Sequence, residues 1–128
     1  MRRAGSVGSV DATRRSVSTV LMSALVVMIT APDREIGLRL ARALVDARLA
    51  ACVNIVDPIT SVYRWEGAVQ EDGETLLIAK TTRERFDALR QKTVEEHPYE
   101  TPEVIACEIA DGSAPYLEWL GGCVAESR

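Results

Sequence analysis

Asp72-Gly73-Glu74-Thr75-Leu76-Leu77-Ile78-Ala79-Lys80 is the stretch whose reading decides the fold. Its first two residues are a tight-hairpin signal, because Asp-Gly tolerates the positive φ angles of a two-residue turn. Thr75 to Lys80 read as the returning strand, and Ile59 to Trp65 as the strand that enters the turn. An antiparallel hairpin is therefore predicted at the middle of the chain.

Working upstream, Ala51-Cys52-Val53-Asn54-Ile55-Val56 is strand-like, and Asp57-Pro58 separates it from Ile59. A proline inside a strand implies a sheet edge or a bulge. Ahead of it, Ile36, Leu40, Ala43, Leu44 and Ala47 recur at helical spacing. Asp33 is placed to cap that helix. Ala24 to Thr30 form a short, branched, apolar run that suits a strand buried on both faces.

Downstream, Thr81 and Glu84 have capping-box spacing, and Phe86, Leu89 and Val94 supply a helical stripe. Pro98 ends that helix, since the residue before a proline is pushed out of helical geometry. Glu103 to Ile109 read as the last main strand, with Cys107 in phase with Ile105 and Ile109 and expected to face the core. Ser113 then opens a terminal helix carrying Tyr116, Trp119, Leu120, Cys123 and Val124, which Gly121-Gly122 should weaken.

The order is β-α-β-β-α-β plus a C-terminal helix. Right-handed crossovers on either side of the hairpin make it an α+β, ferredoxin-like split-βαβ sandwich, with helices on one face of a mostly antiparallel sheet. The other face is left bare and must be polar or covered by a partner, so self-association is expected.

The chain of 128 residues fits one domain. Residues 1–22 stand apart, Arg- and Ser-rich and acid-poor. They read as a disordered extension ahead of a domain over 23–128, with a start at Met22 or a transit-like leader as alternatives. Four arginines against Asp11 give that segment a charge of +3, so the rest carries −7 from 11 basic and 18 acidic residues. Phosphate neutralisation needs clustered Lys and Arg, so an acidic body argues against nucleic acid. No apolar run is long enough to span a bilayer. Cys52, Cys107 and Cys123 are odd in number and widely spaced, which points to a reducing, cytoplasmic setting without disulfides or a zinc knuckle.

Candidate chemistry centres on His97, the single histidine, flanked by Glu96, Glu100 and Glu103 in a segment stiffened by Pro98 and Pro102. Imidazole with carboxylates is a Cu²⁺ or Zn²⁺ environment. The plainer reading is a helix-end histidine that satisfies terminal carbonyls. Tyr63 and Trp65 share a strand face, and Tyr116 and Trp119 a helix face; such groups line pockets or oligomer interfaces. Cys52 and Asn54 alternate on one face that borders a cleft. Lys80 needs a counter-charge if buried, with Glu103 a candidate. Phosphate-loop and dinucleotide motifs are lacking, so no organic cofactor and no enzymatic activity are expected.

Taken together, Thr30-Ala31-Pro32-Asp33, Leu49 to Asn54, Ser61 to Gly67, Lys80-Thr81-Thr82, His97-Pro98-Tyr99 with Pro102-Glu103, and Tyr116 to Leu120 resemble the CutA divalent-ion-tolerance family in order over roughly residues 24–125. The resemblance implies a tight, PII-like homotrimer, tolerance of copper and other divalent ions, and weak binding of Cu²⁺ or another divalent cation. It also implies inter-subunit clefts lined by Cys52, Asn54, Tyr63, Trp65, Lys80, His97, Glu103 and Trp119. Some members carry a cysteine and a second histidine where Ile29 and Glu96 stand here, which leaves His97 with Glu96 and Glu100 as the candidate ligands. The alternative function is a PII-like signalling trimer that senses a small metabolite, with Lys80 and the aromatics receiving an anionic or planar ligand.

Overall fold

The computed structural model describes residues 23–125, so the expectations for residues 1–22 lie outside it. Strand β1 (Ala24–Ala31) leads to helix α1 (Arg34–Asp46). Strands β2 (Cys52–Trp65) and β3 (Ala68–Thr82) form a long hairpin, followed by helix α2 (Arg83–Glu96), strand β4 (Val104–Glu108) and helix α3 (Ala114–Val124). Sheet order is β2-β3-β1-β4, and every neighbouring pair is antiparallel. This is the ferredoxin-like arrangement, with α1 and α2 as crossovers.

Alternation divides the sheet into two faces. Leu25, Val27 and Ile29 of β1, Leu77 and Ala79 of β3, and Leu40 and Leu44 of α1 make one buried cluster with Leu89 of α2. The buried side of α1 is Gly37, Leu40, Ala41 and Leu44, so the stripe is rotated away from the expected Ala47, which is exposed. Gly37 allows α1 close to β3: a Cβ there would lie 3.1 Å from Thr75 Cγ2 and 3.3 Å from Leu77 Cδ2. In α2 the expected Val94 is exposed, and Thr93 takes the inward place, its hydroxyl donating to Leu89 O at 2.8 Å. A threonine can sit inward because its hydroxyl is satisfied by its own helix.

Asp33 caps α1 as expected: the Ile36 amide donates to its Oδ1 at 2.8 Å. Asp33→Ala should cost about 1 kcal/mol, read as a lowered denaturation midpoint with unchanged slope.

Four further expectations need correction. The hairpin does not turn at Asp72-Gly73; Trp65 pairs with Ala68, and the turn is Glu66-Gly67 with φ of 51° and 81°. Two successive positive φ angles are what a right-twisted hairpin demands, whereas Gly73 is an ordinary strand residue opposite Thr60. The hairpin is therefore longer than expected, and Val62 and Val69 on its outer part are each 66% exposed. The capping box is also displaced. Thr82 is the N-cap of α2 and makes no side-chain cap, while the Thr81 hydroxyl is buried and donates to Leu49 O at 2.6 Å. Cys107 keeps phase with Ile105, but both lie on the bare face, exposed, because Val104 is the β4 residue packed on the core. Finally, α3 runs to Val124 through Gly121-Gly122, held by buried Leu117, Leu120 and Val124.

The expected irregularity at Asp57-Pro58 is present: β2 is an edge strand and its register with β3 shifts between Val56 and Ile59.

Candidate functional site

The bulge in β2 and the length of the hairpin carry Ser61, Tyr63 and Trp65 beyond the core, on the same side of the sheet as Glu74. The loop after α2 rises opposite them, bringing Tyr99, Glu100 and Glu103. Between hairpin and loop lies a cleft of about 570 Å³, within the range of small-molecule sites. Thr30 and Glu74 line it as well.

His97 holds this loop in place. It is 7% exposed. Its Nε2 lies 2.7 Å from Thr30 O, and its Nδ1 accepts the Tyr99 amide at 3.1 Å. A ring nitrogen that accepts carries no proton, so the hydrogen sits on Nε2 and is donated to β1. The imidazole also packs on the Tyr99 ring, with centroids 4.7 Å apart. Its acceptor is a strand carbonyl, not a terminal carbonyl of α2 as the plainer reading had it.

Tyr99 Oη donates to Glu74 Oε2 at 2.8 Å, and Tyr63 Oη donates to Asp72 Oδ2 at 2.5 Å. Burial, then the hydrogen bond to Glu74, pushes the Tyr99 phenol well above its ordinary value, and the hydrogen bond to Asp72 raises that of Tyr63. A raised phenol contributes stability that is present below pH 10 and is lost as pH climbs through the folded-state value. In an ultraviolet titration, Tyr99→Phe should remove a phenolate signal that emerges only well above pH 10. A signal lost at ordinary tyrosine pH would contradict the Glu74 contact.

The candidate residues from the sequence fall into separate places. Tyr63, Trp65, Glu100 and Glu103 line the cleft. Cys52, Asn54 and Lys80 sit toward the opposite end of the bare face, where Cys52 pairs with Lys80. Lys80 Nζ donates to Asn54 Oδ1, so Asn54 and not Glu103 is its partner. Trp119 packs against Tyr116 within α3, with ring centroids 5.4 Å apart and the planes tilted by 44°. His97 turns inward, Glu96 pairs with Lys92 at 3.0 Å, and Glu100 faces the cleft, so the three are not one donor set. Among the described residues, no three His, Cys, Asp or Glu groups are placed to hold a metal ion. Ile29, at one of the departures from the family pattern, is fully buried in the main core.

The residues missed were Thr30, Glu74, Asp72 and Tyr99. The strand alternation shared by Asp72 and Glu74 with Leu76 and Lys80 was the available signal, and the misplaced turn concealed it.

These features define a ferredoxin-like α+β protein that gathers its polar and aromatic side chains on a bare sheet face and in a cleft beside a long hairpin. A family model described as CutA1 divalent ion tolerance protein matches residues 25–123. The chain belongs to that family. It is 52% identical over 95 residues to the divalent-cation tolerance protein CutA of Thermus thermophilus, covering 74% of this chain and 92% of the relative. It is 49% identical over 119 residues to the chloroplastic CutA 1 of Oryza sativa, covering 93% and 67%. Among solved structures, the Oryza sativa CutA1 crystal structure superposes with a TM-score of 0.79 at 50% identity, covering 82% of this chain and 96% of that one. The Thermus thermophilus structure gives 0.78 at 48%, covering 80% and 99%.

Proposed function

We propose that this chain is a divalent-cation tolerance protein that works as a homotrimer in the cytoplasm, by weak binding of Cu²⁺ or another divalent cation and not by catalysis. Membership of a family described by ion tolerance supports the role. The observation that carries the assembly is the bare sheet face. It presents Ile105, 51% exposed, beside Cys107, Met28 and Val26, and a small domain leaves such a surface open only if a partner covers it. Three free thiols are compatible with a reducing compartment. One protomer's described residues do not fit a divalent ion, so the ion would be held by donors from more than one copy.

Light scattering after gel filtration should give three times the protomer mass. Cys107 should resist a thiol-alkylating reagent in the assembled protein and react quickly once copies separate. A monomeric, folded protein at micromolar concentration, or equally fast alkylation in both states, would remove the assembly. Copper calorimetry on the intact assembly tests the ion; absence of a heat signal would remove it.

A second reading, a signalling module that senses a small molecule, is favoured by the cleft between hairpin and loop.

A further inference from the structure

His97 is the single histidine of the chain and the residue first expected to hold a divalent ion. A histidine that binds a metal points one ring nitrogen at the ion and donates the other N–H to a carbonyl or carboxylate. His97 has half of that arrangement, because Nε2 donates to Thr30 O at 2.7 Å. The nitrogen that would face the ion is Nδ1, and it accepts the Tyr99 amide at 3.1 Å. An unprotonated ring nitrogen has one lone pair, so it cannot hold this hydrogen and an ion together. Exchanging the roles frees neither nitrogen. A proton on Nδ1 would face the Tyr99 N–H, and an ion on Nε2 would strand the Thr30 carbonyl. The Tyr99 ring also stands against the imidazole, with planes tilted by 54°. These contacts close within one chain, and copies packed on the sheet can only lower the 7% exposure of His97.

We propose that His97 is a positioning residue and not an ion ligand: it ties the loop after α2 to the end of β1, and a divalent cation is taken up without imidazole. The inference rests on the cation reading above for the ion, and on the His97 contacts alone for the role. What His97 positions is Tyr99, whose hydroxyl donates to Glu74 Oε2 at 2.8 Å, and the loop that follows it. The two departures from the family pattern agree with this. Ile29 is fully buried in the core and Glu96 pairs with Lys92, so neither brings His97 a second donor. With the one imidazole committed, the side chains left to hold an ion across copies are carboxylates and thiols.

The test uses the untagged full chain, in which His97 is the only imidazole, with diamagnetic Zn²⁺ as the probe. Nitrogen-15 spectra should show one protonated and one bare ring nitrogen, and excess Zn²⁺ should move neither. His97→Gln, which can still donate to Thr30 O, should bind Zn²⁺ in calorimetry within about twofold of wild type, whereas losing a true ligand costs at least about tenfold. The positioning is read from the phenolate signal that Tyr99→Phe removes, which emerges well above pH 10 while the loop is held against Glu74. His97→Ala should bring that signal back toward ordinary tyrosine pH. His97→Asn, which can accept the Tyr99 amide, should restore the wild-type profile. A Zn²⁺-dependent shift of Nδ1 in the wild type, or binding about tenfold weaker in a folded His97→Gln, would overturn the proposal. So would an unchanged Tyr99 profile in His97→Ala. Unmoved nitrogens with no Zn²⁺ heat in either protein would overturn the cation reading and still support the role given to His97.

Discussion

Replacing His97 by alanine is expected to lower the unfolding free energy by about 3 kcal/mol. The imidazole joins three pieces of the fold. Nε2 satisfies Thr30 O at the end of β1, Nδ1 takes the amide of Tyr99, and the ring packs on the Tyr99 side chain. Alanine removes both hydrogen bonds, strands the Thr30 carbonyl in a buried place and leaves a cavity beside Tyr99. Each lost hydrogen bond contributes about 1 kcal/mol, and the cavity adds a term of similar size. His97→Phe keeps most of the volume while losing both bonds, so it should fall between wild type and alanine. Urea unfolding at a fixed protein concentration, followed by tryptophan fluorescence, measures the differences. A loss below about 1 kcal/mol for His97→Ala would mean that the loop is held by something else.

Leu77→Ala is expected to cost about as much, roughly 3–4 kcal/mol, for a different reason. Leu77 is fully buried on β3, an inner strand, and its side chain meets α1 where Gly37 approaches the sheet. Truncation leaves a void that a helix fixed on both sides by packing cannot readily close. The same geometry predicts coupling. Gly37→Ala in the wild type must push a methyl to within 3.1 Å of Thr75 Cγ2 and 3.3 Å of Leu77 Cδ2. Once Leu77 is alanine, the second of those contacts is gone, and the helix-propensity gain of about 1 kcal/mol from removing glycine is less opposed. A double-mutant cycle should therefore show a favourable interaction of at least about 0.5 kcal/mol between the two changes. Additive behaviour would show that α1 moves freely over the sheet.

Both effects bear on the cleft. His97 sets the height of the wall that carries Tyr99, Glu100 and Glu103, and the Leu77–Gly37 contact seats α1 on the strand that carries Glu74. A partly unfolded His97 variant would lose the cleft with the loop.

The amino-acid sequence by itself determined the kinds and order of the elements. Apolar runs, helical spacing and the breaks at Asp33, Pro58 and Pro98 are local signals, written within a few residues of where they act. That order, with right-handed crossovers, leaves few topologies, and the ferredoxin-like one followed. Tertiary structure decided everything that depends on which of two equivalent local choices wins. Asp72-Gly73 and Glu66-Gly67 both can turn; the register that pairs Trp65 with Ala68 and Thr60 with Gly73 selected the second. Cys107 had the right phase and the wrong face, because alternation reports parity and only the packing of Val104 on the core says which parity points inward. The cleft was decided the same way. Thr30, Tyr63, Glu74 and Tyr99 are separated along the chain by stretches that carry no mutual signal, and they meet because a strand end, a hairpin and a loop after a helix fold to one corner of the sheet.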